Sequence, residues 1–146
     1  MIITTIGSTP LAHYIGRGGK GKAQSALANP FPVGRTVADR KQCVKLFRAY
    51  IKLVLKDRMQ PQAAAEYLKA ELNASTVANF HFPTRQAVLD ELRSLDTDSQ
   101  LGCFCYKENF CVHGILDEAD YPFNCHGEVV ASSWYYATAN NLLNYP

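Results

Sequence analysis

Long apolar runs are missing from this sequence: none approaches the roughly 18 residues of a membrane-spanning helix, so no membrane role is expected. The opening residues, MIITTIGSTP, lack a basic segment followed by a long apolar core, so no secretory leader is expected either. Without a leader the expected compartment is the reducing cytoplasm, where five cysteines serve as thiols or ligands rather than as disulfides. Internal repeats and a separate linker are also lacking. The 146 residues are therefore expected to form one domain, long enough to bury its own core. Acidic side chains are nearly absent from residues 1–58, which hold only Asp39 and Asp57 against eleven Lys and Arg, a local balance of +9. Residues 59–146 carry the opposite balance, −7. Such polarity either marks an anionic partner on one side of the molecule or draws two halves of the fold together.

What is present reads as alternating strands and helices. Met1 to Ile6 has the β-branched composition of a short strand, broken by Gly7-Ser8-Thr9-Pro10. A second apolar patch, Tyr14-Ile15, leads into Gly16-Arg17-Gly18-Gly19-Lys20-Gly21-Lys22. This is expected to be a flexible cationic loop suited to phosphate or carboxylate, although its spacing is not that of a P-loop. Asn29-Pro30-Phe31-Pro32-Val33-Gly34 is a rigid turn. Thr36, with Asp39 three residues on, predicts a capped helix to about Arg58 whose buried face is Val37, Val44, Phe47, Ile51, Val54 and Leu55. Lys41, Lys45, Arg48, Lys52 and Lys56 form a basic stripe on another face: either a wet helical surface or a place for nucleic-acid phosphates. Pro61 opens a second helix to Leu72, and Thr84 caps a third bearing Val88, Leu89, Leu92 and Leu95. His81, between Phe80 and Phe82, is expected to be packed or half-buried rather than catalytic. Leu101 to Tyr106 alternates as a strand, a long loop runs from Lys107 to Phe123, and a last helix begins at Asn124 or Cys125. The expected fold is a single α/β domain, a small mixed, partly parallel sheet with three to four helices.

Residues 101–130 gather Cys103, Cys105, Cys111, His113, Cys125 and His126. Three chemistries compete there. Zinc is the candidate cofactor, held by Cys103, Cys105, Cys125 and His126, with Cys111 and His113 as substitutes, although Cys-x-Cys is tighter than the usual ligand spacing. Thiol catalysis is the second: Cys125 starts a helix beside His126 and near Glu128, an environment that lowers a thiol pKa. The third is a pocket for a nucleotide-like or phosphorylated small molecule, with Arg17, Asn29, Arg35 and Arg40 as polar contacts. Four buried core thiols are the plain alternative, which leaves the histidines unexplained.

The combination of Ile15-Gly16-Arg17, Asn29-Pro30-Phe31, Arg40 (or Arg35), Cys103-Phe104-Cys105 and Cys125-His126-Gly127-Glu128 resembles a small family of uncharacterised phage and bacterial proteins. This chain departs from that family's pattern with Ala28 where glycine precedes Asn29, Phe104 for tryptophan, Glu128 for aspartate, and about twenty residues between the cysteine motifs. The resemblance brings no established activity. It implies that Arg17, Asn29, Arg40, Cys103, Cys105, Cys125 and His126 belong together in space, and a host-cytoplasmic location if the chain is phage-encoded. The leading expectation is a ligand-binding domain, with catalysis a further capacity, acting on a nucleotide, a nucleotide derivative or a nucleic-acid end. There Cys103, Cys125 and His126 form the reactive edge, with Glu128 beside it. The alternative is a non-enzymatic zinc-stabilised module that binds nucleic acid or a host protein through the basic helix.

Overall fold

The computed structural model describes residues 1–5, 12–19, 21–103, 110–116 and 125–144; the side chains of Thr5, Cys103 and Phe110 lie outside that description. The elements run β1 (Ile2–Thr5), β2 (His13–Tyr14), α1 (Val37–Leu55), α2 (Pro61–Leu72), α3 (Arg85–Arg93), β3 (Gln100–Cys103), β4 (Phe110–Cys111) and α4 (His126–Ala139). The strands form one sheet in the order β2-β3-β1-β4. β3 lies parallel to both neighbours, with Ile2 opposite Gln100, Thr5 opposite Cys103 and Tyr14 opposite Gly102. β4 is antiparallel, with Cys111 opposite Ile2. This is the small mixed α/β domain that the sequence predicts. Among the described residues no helix is long and apolar enough to cross a membrane.

Each helix starts where a local signal starts it. Thr36 sits in extended geometry and its hydroxyl accepts the Asp39 N–H at 3.0 Å, while the Asp39 carboxylate accepts the Thr36 N–H at 3.2 Å, a complete capping box. Those bonds, the one from the Thr36 backbone foremost, hold the Asp39 carboxyl below its ordinary value. Gly34 makes this entry possible: its φ is +74°, and a Cβ there would run into the Asp39 side chain. Pro61 occupies the first turn of α2, and Asn73 ends it in left-handed geometry at φ 51°. Thr84 caps α3 through the Ala87 N–H. Arg85 then reaches back, donating from Nε to the Val54 carbonyl at 2.7 Å and from Nη2 to the Leu55 carbonyl at 3.3 Å. The last carbonyls of α1, which the helix itself cannot satisfy, gain a cation this way.

The core lies among the sheet and the four helices, α2 adding Ala64, Ala65 and Leu68 against α1. Ile3 and Leu101 from the sheet, Ile15, Phe31, Phe47, Tyr50 and Val54, and Val88 and Leu92 are all fully enclosed. Phe47 and Tyr50 stack at 6.0 Å, with Phe31 edge-on to Tyr50 at 6.1 Å. Two strands differ from expectation. β2 forms from the patch read only as apolar, and β4 forms inside the segment read as one long loop. Both are two residues long, so neighbouring strands rather than local pattern define them. Of the strand expected at 101–106, residues up to Cys103 are strand and the rest lie outside the described residues.

Candidate functional site

The three parallel strands end together, at Thr5, Tyr14 and Cys103, and that carboxyl edge is where open α/β sheets generally place ligands. The chain leaves β2 through Ile15 and Gly16 into Arg17. Beyond Arg17 the described part of the glycine loop is a hydrogen-bonded turn. Gly19 and Lys22 exchange two backbone hydrogen bonds at 3.0 Å, and Gly18, Gly19 and Gly21 take φ of +92°, +113° and +82°. The Tyr14 hydroxyl accepts the Gly18 N–H at 2.9 Å, and the Lys22 ammonium lies 5.4 Å over the Tyr14 ring. Glycines that read as freedom in the sequence are here the means of folding a tight cationic turn.

Arg17 is exposed, but its Nη1 donates to the Phe31 carbonyl at 3.0 Å and to the Asn29 carbonyl at 3.4 Å. The guanidinium is thereby fixed against the Asn-Pro-Phe turn, and Nη1 supplies only part of its five-donor fork. Asn29 is buried and builds that turn. Its Oδ1 accepts the Phe31 N–H at 2.9 Å and its Nδ2 donates to the Cys43 sulfur at 3.1 Å. Arg35 and Arg40 are exposed at the entry to α1.

α4 brings the other half. Cys125 is its N-cap, fully buried, and its sulfur accepts the Gly127 N–H at 3.3 Å. The His126 Nε2 lies 3.2 Å from the Ile15 carbonyl, and its ring meets Phe47 edge-on at 5.6 Å. Gly127 is seated so closely that an added Cβ would lie 3.1 Å from Ile3 Cγ2 and 3.6 Å from Ile15 Cδ1. The start of α4 is therefore pressed onto β1 and onto the residue after β2, two positions before Arg17. Glu128 is fully enclosed in the same first turn, where a helix N-terminus favours negative charge.

Cys111 does not share this edge. It stands opposite Ile2, at the amino end of β1, whereas Cys103 stands opposite Thr5 at the other end; three residues of strand separate the two positions by about 10 Å. Cys111 and His113 are exposed there, so the cysteine-rich stretch does not form one cluster. Among the described residues no three His, Cys, Asp or Glu side chains gather at metal-binding spacing. The Cys103 side chain and all of Cys105, two of the four expected zinc ligands, lie outside the described residues.

The chain belongs to the DUF4326 family. The sequence model of this family, described as a domain of unknown function, matches residues 5–135, nearly the whole fold. No curated protein and no solved structure matches. The DUF4326 match spans the Gly-Arg loop, the Asn-Pro-Phe turn and the start of α4, the parts that meet at the carboxyl edge.

Sequence reasoning missed Glu91. Its carboxylate accepts the Ser25 hydroxyl at 2.5 Å and the Leu27 N–H at 3.0 Å, and its other oxygen lies 3.5 Å from His13 Nε2. One α3 side chain thus ties the returning end of the cationic loop to β2. Burial pushes the Glu91 carboxyl up, but His13, Ser25 and the Leu27 N–H together outweigh burial and leave it below its ordinary value. The available signal was a charged residue between Val88 and Leu92 on the apolar stripe of α3.

Proposed function

We propose that the carboxyl edge of the sheet is a binding site for a nucleotide-like or phosphorylated small molecule. The observation that carries this reading is the seating of the α4 N-terminus against Ile15, two residues before a fixed, exposed arginine. A helix start, a cationic turn with positive-φ glycines and an oriented guanidinium are three anion-binding devices, and here they converge on the end of a parallel sheet. On this reading Arg17 holds phosphate, Arg35 and Arg40 extend the cationic rim, and Asn29 acts through the turn it builds. Glu128 supports the first turn of α4. Cys103 and His126 form the chemically active border, and the buried Cys125 serves first as a cap.

A catalytic or zinc-binding role for this border would use Cys103, Cys105, Cys125 and His126. Elemental analysis with a thiol titration decides it: about one zinc per chain with few reactive thiols supports a metal, and no metal with reactive thiols removes it. For the ligand itself, the test is calorimetric titration with nucleoside monophosphates and inorganic phosphate. Arg17→Ala is expected to lose binding by about 2 kcal/mol, the scale of a hydrogen bond to a charged group. Binding unchanged by Arg17→Ala sinks the assignment.

A second reading keeps the basic helix as a nucleic-acid surface, favoured by the exposure of Lys41, Lys45, Lys52 and Lys56 along α1. Exchange of Lys41, Lys45 and Lys52 for glutamate would abolish binding to an oligonucleotide on that reading and leave phosphate binding at the sheet edge intact. Arg48 is spared in this test because its Nη1 holds the Leu116 carbonyl at 3.3 Å.

A further inference from the structure

The sequence suggests a packed or half-buried ring for His81, but the structure leaves it exposed between two half-buried phenylalanines. Phe80 and Phe82 meet edge to face, with ring centroids 4.9 Å apart and an interplanar angle of 67°. Two main-chain anchors hold this segment against the groups around Arg17. The His81 N–H donates to Gln24 Oε1 at 3.3 Å, and the His81 carbonyl accepts from Gln24 Nε2 at 2.6 Å. Earlier in the same segment, the Val77 N–H donates to the Pro30 carbonyl at 2.8 Å. Pro30 lies between Asn29 and Phe31, whose carbonyls hold the Arg17 guanidinium. Gln24 itself stands across the cationic turn from Arg17 and Gly18. There the Ser25 N–H donates to the Gly16 carbonyl at 3.0 Å, and a Cβ on Gly18 would lie 3.0 Å from the Gln24 nitrogen.

Both anchors use main-chain atoms of the aromatic segment, so the clamp by itself does not call for an imidazole at position 81. What the side chain adds is a flat ring in water beside two partly open rings. A planar aromatic ligand gains by stacking on such a surface, and every nucleobase has a π-face to offer. Phosphate gains nothing from the rings, and the rings gain nothing from phosphate; a ligand that carries both groups uses both features. Between the Arg17 and His81 backbones lie one limb of the turn and one glutamine side chain, about 10 Å at limb spacings of about 5 Å. A nucleotide joins its phosphate to its base over a distance of that order. Resting on the phosphate site at Arg17 proposed above, we propose that the ligand of that site is a mononucleotide whose base stacks on His81 beside Phe80.

The test is calorimetric titration of the full chain with adenosine 5′-monophosphate, ribose 5-phosphate and inorganic phosphate. The nucleotide should bind about tenfold more tightly than ribose 5-phosphate, the scale of one base stacked on an aromatic side chain. His81→Ala should remove that advantage and leave the affinity for ribose 5-phosphate unchanged, whereas His81→Trp should keep or increase it. The position is exposed and its bonds to Gln24 come from the main chain, so both variants retain the clamp. Arg17→Ala should weaken all three ligands. If Arg17→Ala does so but ribose 5-phosphate binds as tightly as the nucleotide, or His81→Ala changes both ligands alike, the phosphate site stands and the base subsite is overturned. If none of the three binds, or Arg17→Ala leaves all of them unchanged, the phosphate site falls and the base subsite falls with it.

Discussion

Replacing Asn29 by alanine tests whether the Asn-Pro-Phe turn is held from inside. The side chain is 8% exposed, and both ends of its amide are engaged: Oδ1 by the Phe31 N–H at 2.9 Å, Nδ2 by the Cys43 sulfur at 3.1 Å. Alanine leaves the Phe31 N–H, on a fully buried residue, without its acceptor. An unsatisfied buried donor costs about 1–3 kcal/mol. The bond to sulfur, a weak acceptor, adds less than about 1 kcal/mol. A total near 2.5 kcal/mol is expected, which lowers Tm by about 10 °C for a domain of this size. Urea unfolding gives the number, read by far-UV circular dichroism and by the fluorescence of Trp134, the one tryptophan, on α4. Because circular dichroism reports all the helices and the fluorescence reports the surroundings of α4, their coincidence checks two-state behaviour. Cys43→Ala and the double variant complete a cycle. Its coupling is expected to stay near 0.5 kcal/mol, because most of the loss belongs to the Phe31 N–H and not to the sulfur. A loss below about 0.5 kcal/mol in Asn29→Ala would refute the reasoning. The amide would then not be holding the turn, and Asn29 would be better assigned to direct ligand contact.

Three further outcomes follow from local geometry. Gly127→Ala gains about 1 kcal/mol of helix propensity but sets a methyl 3.1 Å from Ile3 Cγ2 in a closed core, where overpacking costs about 1–3 kcal/mol; a net loss near 1 kcal/mol is expected, and a stabilised variant would show that α4 is not seated on β1. Burial raises the pKa of the Tyr50 phenol, whose hydroxyl meets no partner among the described residues, so Tyr50→Phe should keep or raise stability by up to about 1 kcal/mol in the same urea assay, and a clear loss would reveal a bond to that hydroxyl. Glu91 has a folded-state value below its ordinary 4.5, so its carboxylate contributes stability above that pH and loses it as pH falls through the lower folded value. Between pH 7 and 3 the urea midpoint of Glu91→Gln should therefore fall less steeply than that of the native chain, and parallel curves would contradict the Ser25–Glu91–His13 arrangement.

The helices were legible because their signals are local. Thr36 with Asp39, Pro61 and Thr84 each fix a start within one turn, and the apolar spacing of α1 and α3 names the buried faces except at Val37, which is 59% exposed in the first turn of α1. β2 and β4 were not, because a two-residue strand exists only through its partner, and Cys111 meets Ile2 more than a hundred positions away. The turn in the glycine loop was not legible for a related reason: composition reports which φ values are allowed, while the Gly19–Lys22 pairing decides which are used. At the site, motif grouping named Arg17, Asn29 and His126 as members of one set without giving their contacts, Arg17 to Asn29 and His126 to Ile15. It did not show that the asparagine amide turns inward, or that the cysteine-rich stretch divides between two ends of the sheet. Glu91 stayed hidden because its partners, His13, Ser25 and Leu27, come from the other half of the chain.

The charge asymmetry of the chain acquires a physical meaning from the way its cations are bonded. Arg17 reaches the carbonyls of Asn29 and Phe31, Arg48 that of Leu116, and Arg85 those of Val54 and Leu55. A carbonyl carries a dipole and no net charge, so the two bonds of Arg17 fix the direction of its guanidinium without cancelling its unit charge. Orientation and neutralisation, which a carboxylate partner would impose together, are thus separated at Arg17. The fork is held in place against the turn and its field still reaches the carboxyl edge of the sheet. An anion arriving there meets a cation whose side-chain entropy has already been spent on folding, which lowers the ordering cost of binding. The same fixed field is screened by salt over about 10 Å at 0.1 M, so phosphate affinity at this edge should fall as ionic strength rises, and calorimetric titration across salt concentrations measures that slope. An affinity independent of salt would mean that the ligand is held by shape and hydrogen bonds, with the cationic turn as scaffold alone.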